Sequence, residues 1–282
     1  MFKIIEKEWL NANTFRMVVD APMVSRSCMP GQFVIVRTDE EGERIPLTIC
    51  DYDRDAHTVT IVVQTIGAGT IEMSKKEAGE YLADFVGPLG NPSDLCTDPI
   101  EEVRKKKIVF VAGGLGTAPV YCQVKWLHEH GITADVIVGA RSKDILILED
   151  EMKAVGNLYI TTDDGSYGRT GNVTVCMEDL VTKEGKEYDH CVCIGPMIMM
   201  KFLSLLTKKL NIHTVVSMNP IMVDGTGMCG ACRVKVGNDT KFACVHGPEF
   251  DAEKIDWDEA MRRSAMYKPE EAAALEKAKE GV

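Results

Sequence analysis

Aromatic residues are scarce, 6% of the 282 residues with only 3 tryptophans. Long apolar runs are missing altogether: nothing approaches the ~20 residues that a helix needs to cross a bilayer, so no membrane span is expected. Positive charge is in short supply, with 32 Lys and Arg against 43 Asp and Glu and a formal charge of −11. A surface of that sign repels phosphate backbones and argues against nucleic acid as a partner. The opening MFKIIEKEWLNANTF lacks the apolar stretch and small-residue cleavage site of a signal peptide, so a cytoplasmic setting is expected. The 10 cysteines are too sparse in a chain of 282 residues for a disulfide scaffold. In a reducing compartment they raise metal binding instead. The length itself suggests about two domains, each able to bury a core.

The residue pattern changes near position 100. Before it, Gln32–Thr38, Thr58–Thr65 and Glu80–Val86 are short runs rich in Val, Ile, Thr and Phe, punctuated by Pro30-Gly31, Gly67–Gly69 and Gly87-Pro88. Such spacing predicts strands of a small closed barrel over residues 1–98. From residue 99 to 218 the pattern alternates strand and helix. Buried strands are predicted at Lys107–Ala112, Ala134–Gly139, Leu158–Thr161, Cys191–Ile194 and Thr214–Ser217, with helices at Pro119–His130 and Met197–Leu210. That is the signature of a parallel sheet covered on both faces. Asn91–Lys106, with Pro92, Pro99 and a charged run, reads as a linker. Residues 219–250 carry three cysteines, and residues 251–282 form a charged tail of good helix formers from Asp256 to Lys279.

The strongest chemical signal is Asp224-Gly-Thr-Gly-Met-Cys229-Gly-Ala-Cys232, followed after eleven intervening residues by Cys244. Plant-type [2Fe–2S] sites use C-x4-C-x2-C with a distant fourth cysteine. The segment keeps that spacing, with Asp224 where the first cysteine belongs. Gly225, Gly227 and Gly230 allow a tight loop whose amides turn inward. A carboxylate is a harder ligand than a thiolate and alters the potential and proton coupling of a cluster. Other readings use the same residues. Cys229, Cys232, Cys244 and His246 also make a Cys₃His zinc set, which would suit a non-enzymatic nucleotide-sensing module. A CxxC dithiol is a further reading, although no thioredoxin-like strand–helix setting surrounds it. Cys191 and Cys193 alternate along a predicted strand and read as core.

A second signal is Val109-Phe-Val-Ala-Gly113-Gly114-Leu-Gly116-Thr117-Ala-Pro119. A buried strand enters a glycine turn and then a helix, a setting that brings amides and the positive helix end to a phosphate. The GGxG spacing is not the G-x-G-x-x-G fingerprint, and a plain strand–helix turn is the alternative. Thr161–Gly168, with Asp163 and Asp164, and Cys193-Ile-Gly195-Pro196-Met197 follow later strands, at the carboxyl ends where open α/β sheets bind ligands. A third signal lies in the barrel: Arg44-Ile-Pro46-Leu47-Thr48, then Gly67-Ala-Gly69-Thr70 before a helical stretch at Ile71–Lys76. An arginine and a glycine-rich helix start can clamp a diphosphate; each alone is also an ordinary surface feature.

Taken together, R-x-P-L-T, GAGT, GGLGTAP, DDGSYG and C-x-G-P-M resemble the ferredoxin–NADP reductase superfamily. The cysteine loop is similar to two of its branches, the electron-transfer subunit of dihydroorotate dehydrogenase and the small (alpha) subunit of NADH-dependent reduced ferredoxin:NADP oxidoreductase, of sulfide dehydrogenase type. The first branch uses four cysteines. The second uses one aspartate and three cysteines, which Asp224, Cys229, Cys232 and Cys244 match, and the tail HGPEFDAEKIDWDEAMRR also resembles the second.

This resemblance implies a flavin-binding β-barrel, a parallel-sheet α/β dinucleotide-binding domain, a C-terminal iron–sulfur loop and a helical tail. It places Arg44 on the FAD diphosphate, with Gly67, Gly69 and Thr70 on its other side, and Pro46, Leu47 and Thr48 along the isoalloxazine, Thr48 near flavin N5. Gly113, Gly114, Gly116 and Thr117 receive the dinucleotide, and Gly195, Pro196 and Met197 lie beneath the nicotinamide. Asp163 and Asp164 repel a 2′-phosphate and favour NAD(H), while Arg141 pulls the other way. The implied cofactors are FAD, a [2Fe–2S] cluster and NAD(H). The implied partner is a larger subunit carrying FAD and [4Fe–4S] clusters, joined as a heterodimer, with ferredoxin reached through that subunit.

Overall fold

The computed structural model describes residues 1–280. Strands β1 (Phe2–Asn11), β2 (Thr14–Asp20), β3 (Phe33–Arg37), β4 (Ile45–Asp53), β5 (Thr58–Gln64), β6 (Tyr81–Leu82) and β7 (Asp84–Leu89) form one sheet in the order β6-β1-β2-β5-β4-β3-β7. Its two edge strands are consecutive in the chain and separated only by Ala83, so the sheet curls until its edges meet. The inward positions follow the period of two. Phe15, Met17 and Val19 of β2 and Val59, Ile61 and Val63 of β5 are buried in one core. The sequence reading found the strand runs at Gln32–Thr38 and Thr58–Thr65, but Glu80–Val86 breaks at Ala83 into two strands. It passed over β1, whose outward face is charged, and β4, whose residues it read only as a ligand motif.

The second sheet contains β8 (Ile108–Gly113), β9 (Asp135–Ala140), β10 (Asn157–Thr162), β11 (Arg169–Thr170), β12 (His190–Ile194) and β13 (His213–Ser217). The chain then makes a hairpin from β14 (Arg233–Val236) and β15 (Asp239–Phe242) and returns as β16 (Glu249–Asp251). The order is β11-β10-β9-β8-β12-β13-β16, with every pair parallel except the last. The sheet is therefore mixed rather than parallel throughout, because the segment after the cysteine loop adds an antiparallel edge. All five predicted strands are present. Strands β8 and β12 are buried along their whole length, as a sheet covered on both faces requires. One face packs under the helix Thr117–Glu129, the other under Val173–Thr182 and Met197–Lys209.

The stretch 91–106 is not an open linker. It folds into the short helices Asp94–Thr97 and Ile100–Val103 and buries Leu95 and Val103 in the core beneath helix Thr117–Glu129. The tail is helical, as expected, at Trp257–Ser264 and Lys268–Glu280. Asp256 caps the first of these by accepting from the Glu259 amide at 3.0 Å. The second helix lies against Ala68–Ser74 of the barrel. Among the described residues no helix is long and apolar enough to cross a membrane.

Candidate functional site

The barrel, the second sheet and the cysteine loop meet on one face of β3 and β4. Directly opposed residues of antiparallel strands share a face, and Phe33 is paired with Thr48 and Ile35 with Pro46. Phe33 and Ile35 do not join the barrel core. They belong to the core that also contains Cys232 and Cys244. Pro46 and Thr48 thus stand on the barrel face turned towards the cysteine loop. Leu47 points the other way, into the barrel, so only its backbone is available to line a ring on that face.

The loop is docked there by two contacts. Gly225, at φ +85°, brings its backbone so close that a Cβ would lie 2.9 Å from Ile35 Cγ1 and 3.1 Å from Leu89 Cδ1. Arg44 donates from Nε to the Val223 carbonyl at 3.2 Å and from a terminal nitrogen to the Asp224 carbonyl at 3.3 Å. It also lies 3.9 Å from Asp84. The guanidinium expected at a diphosphate therefore also ties the barrel to the loop, a role between residues 44 and 224 that no local motif announces. Arg44→Ala is expected to lower flavin content and to raise amide exchange in residues 223–228 together. A loss confined to one of the two would separate the roles.

The four candidate ligands fall into two pairs. The Cys232 and Cys244 sulfurs are 3.3 Å apart, near enough for both to reach one metal atom at bonds of about 2.3 Å. Asp224 and Cys229 lie near each other at the loop tip, where the Asp224 charge acts to raise the Cys229 thiol. Asp224 Oδ2 accepts from the Thr226 amide at 2.8 Å, the Thr226 hydroxyl at 2.6 Å and the Met228 amide at 3.2 Å. Hydrogen bonds from Thr226 hold this carboxyl below its usual range, and Oδ1 has no partner among the described residues. Cys229 is the exposed cysteine of the set. Its thiol is lowered by the Ala231 amide at 3.5 Å and by the Asp224 backbone. Burial, then the neighbouring Cys232, pushes Cys244 up to about 12.

His246 turns its Nδ1 back to accept from the Phe242 amide at 3.0 Å. Among the described residues no three His, Cys, Asp or Glu side chains converge as a single-ion site needs. The paired arrangement, with the Cys232 and Cys244 sulfurs together, suits an iron–sulfur cluster better than one zinc. Cys191 and Cys193 are fully buried in the core, and burial pushes Cys191 up to about 12.

Candidate nucleotide residues line the carboxyl edge of the second sheet. Strand β8 ends at Gly113, a tight turn covers Gly114–Gly116, and the helix starts at Thr117. At Gly116 an added Cβ would overlap the carbonyl oxygen of Ile194, so this crossing of turn and β12 admits only glycine. The Thr117 hydroxyl is buried and donates to the Gly114 carbonyl at 2.8 Å; it shapes the turn. Gly195, Pro196 and Met197 follow β12, with Met197 opening a helix. Met199, absent from the sequence reading, packs over both Gly113 and Gly195.

Asp163 and Asp164 sit exposed after β10. Their amides donate to the carbonyls of Ala140 and Arg141 at 3.0 and 3.2 Å, so the acidic pair and Arg141 occupy one corner. From β12 to β10 is three strand spacings, about 14 Å, enough for an extended dinucleotide. In the barrel, the helix begins at Ala68 rather than Ile71. Thr70 Oγ1 accepts from the Gly67 amide at 3.1 Å, and the Glu43 carboxylate lies against Gly69. A carboxylate at that helix start shows that the place suits an anion.

Residues 219–256 match the iron–sulfur cluster binding domain of dihydroorotate dehydrogenase B. Over 275 residues the chain is 42% identical to a dihydroorotate dehydrogenase B (NAD(+)) electron transfer subunit homolog of Thermotoga maritima, covering 98% of this chain and 94% of that one. The chain belongs to the dihydroorotate dehydrogenase B electron-transfer subunit family. The chain is also 59% identical over 282 residues to the uncharacterized protein in adh 3′region of Clostridium beijerinckii, covering 100% of this chain and 95% of that one. A solved structure of NADH-dependent reduced ferredoxin-NADP oxidoreductase, described for flavin-based electron bifurcation, superimposes with a TM-score of 0.88 at 40% identity, covering 98% of this chain and 97% of that one. The chain thus has its fold in common with that solved structure.

Proposed function

We propose that this chain is the flavin and iron–sulfur electron-transfer subunit of an NADH-dependent reduced ferredoxin:NADP oxidoreductase. FAD, when bound, exchanges hydride with NAD(H) and single electrons with a [2Fe–2S] cluster, and so joins two-electron to one-electron traffic. The protein's work is placement. Pro46 and Thr48 give the flavin a wall on the face where the loop docks, with Thr48 offering a hydroxyl. Arg44, Gly67, Gly69 and Thr70 bind the diphosphate. Gly113, Gly114, Gly116 and Thr117 shape the dinucleotide turn, and Gly195, Pro196 and Met197 support the nicotinamide and exclude water. Asp224, Cys229, Cys232 and Cys244 would hold the [2Fe–2S] cluster. The observation that carries this reading is the docking of the paired ligands onto the barrel face that bears Pro46 and Thr48.

The partner is a larger subunit with FAD and [4Fe–4S] clusters, forming a heterodimer in the cytoplasm, and ferredoxin exchanges electrons with that subunit. A second reading, an electron-transfer subunit for dihydroorotate oxidation, has in its favour the family match over residues 219–256. Asp224 in the first ligand position favours the first reading. Anaerobic co-purification with cofactor analysis tests both: about two irons and one flavin per chain are expected, together with the larger flavoprotein. A dihydroorotate-oxidising partner would select the second reading, and a colourless protein with one zinc would end both.

Two further outcomes follow from the side chains. Asp224→Cys is expected to retain iron but shift the cluster potential, read by redox-poised electron paramagnetic resonance; an unmoved potential means that Asp224 is no ligand. Replacing Asp163 and Asp164 together by serine is expected to improve use of NADPH relative to NADH about tenfold, about 1.4 kcal/mol, because repulsion is removed while Arg141 stays. Steady-state KM values for both nucleotides check it.

A further inference from the structure

Two arginines hold the turn that carries Cys229 and Cys232. Arg263, on the tail helix Trp257–Ser264, donates from a terminal nitrogen to the Ala231 carbonyl at 3.0 Å across 32 residues. Arg233, the first residue of β14, donates to the Gly230 carbonyl at 3.3 Å. The next carbonyl, that of Cys232, accepts from the Ala243 amide at 3.0 Å. Three successive carbonyls of the turn are thus bound, two of them by side chains. Neither guanidinium pairs with a carboxylate among the described residues; each bonds a loop carbonyl instead.

A trans peptide sets its C=O and N–H on opposite sides. A donor that fixes the carbonyl therefore also fixes where the amide of the next residue points. The Gly230–Ala231 peptide shows this: Arg233 binds its carbonyl, and its N–H donates to the Cys229 sulfur at 3.5 Å. Arg263 binds the Ala231–Cys232 peptide in the same way, so the Cys232 amide faces away from that guanidinium. Gly230, at φ +65°, lets the chain turn here.

The tail is anchored well enough to serve as a support. The Gly237 amide donates to the Lys254 carbonyl at 2.6 Å and the Asp256 amide to the Lys235 carbonyl at 3.0 Å, which fastens the tail to the end of β14. Ala260 belongs to the core that contains Cys232 and Cys244, and Trp257 packs against it. Packing alone does not account for an arginine at 263. Its Nε–H is enclosed and has no partner, and an enclosed donor without an acceptor is costly. What the side chain gains is the bond from its terminal nitrogen to the loop.

We propose that Arg263 and Arg233 are positioning residues of the cluster loop. They hold the carbonyls of Ala231 and Gly230 to one side and so leave the amides of Cys232 and Ala231 for sulfur on the other. Amides given to sulfur, and two positive charges beside the loop, favour the more negative, reduced state of a cluster and raise its potential. The inference rests on the [2Fe–2S] reading of Asp224, Cys229, Cys232 and Cys244. It gives the tail helix a part in setting the potential, although the tail contributes no ligand.

Redox-poised electron paramagnetic resonance of the full-length holoprotein tests it, with amide exchange of residues 230–233 followed in parallel. Arg263→Met keeps the apolar stem and removes the donor. It is expected to keep its iron, to lower the midpoint potential of the cluster and to speed exchange of these amides about tenfold, as the loss of one charge-assisted hydrogen bond implies. Arg263→Lys restores a charged donor and should return both readouts towards the wild type. Arg262→Met removes the same charge at the exposed neighbouring position and should leave both unmoved. Arg233 is also exposed, so Arg233→Met carries the test if Arg263→Met fails to fold, again with a lowered potential. An unmoved potential in iron-loaded Arg263→Met or Arg233→Met, an equal fall in Arg262→Met, or no recovery in Arg263→Lys would each overturn the inference while the cluster stands. A wild type with no two-iron signal would instead overturn the reading beneath it.

Discussion

Gly116→Ala is expected to abolish measurable NAD(H) binding and to cost about 2–3 kcal/mol of stability, the upper range for an overpacked site. The reason is what stands opposite. An added Cβ would overlap the Ile194 carbonyl oxygen and lie 3.1 Å from the Gly195 Cα. Both are backbone atoms of or beside β12, which is paired on one side with β8 and on the other with β13. No side chain can rotate away, so the turn itself must lift from the sheet. Lifting it moves the amides of Gly114 to Thr117, and a displacement of about 1 Å is enough to cost two orders of magnitude where binding depends on placement. Thermal denaturation and fluorescence titration with NADH check the two effects. Unchanged affinity in a folded Gly116→Ala would mean that the dinucleotide lies elsewhere.

What the sequence made legible was local. β8 and β12 carry continuous apolar runs, Ile108–Gly113 and Cys191–Ile194, because both faces of the sheet are covered. A candidate ligand set could be proposed because Asp224, Cys229 and Cys232 come from one loop, where spacing is a direct consequence of geometry. Features that depend on distant partners were not readable. Arg44 reaches across 180 residues to the Asp224 carbonyl, and the Gln123–Glu249 contact spans 126. Leu47 is instructive in a different way. Its neighbours Pro46 and Thr48 face outward, so strand alternation already placed it inside the barrel, but reading R-x-P-L-T as a ligand motif hid the strand. The antiparallel β16 was missed because three residues, Glu249–Asp251, are too few to show a period.

Cys244→Ser is expected to remove the iron while sparing flavin reduction by NADH. Cys244 is 3% exposed, and its sulfur is packed 3.3 Å from that of Cys232. The pairing is held by the backbone, since the Ala243 amide donates to the Cys232 carbonyl at 3.0 Å. A serine oxygen in that place is shorter, harder and far less acidic than a thiolate, so the chain cannot reach with it or charge it as the pair requires. Loss of partners in the outer sphere of a metal site already costs 10–100-fold in affinity as a rule, so loss of a direct ligand is expected to weaken iron retention by at least about 100-fold. Pro46 and Thr48, the proposed flavin wall, lie on β4 and are not expected to move with Cys244. NADH should therefore still bleach the flavin at near its normal rate, while transfer onward to a one-electron acceptor fails. Cys191→Ser is the control. It buries a hydroxyl in the core of the second sheet at a cost of about 1–3 kcal/mol, and it should lower the melting temperature without loss of iron. Iron analysis, stopped-flow flavin absorbance and a one-electron dye assay separate these outcomes. Iron retained in Cys244→Ser, or lost from Cys191→Ser, would assign the metal to other cysteines.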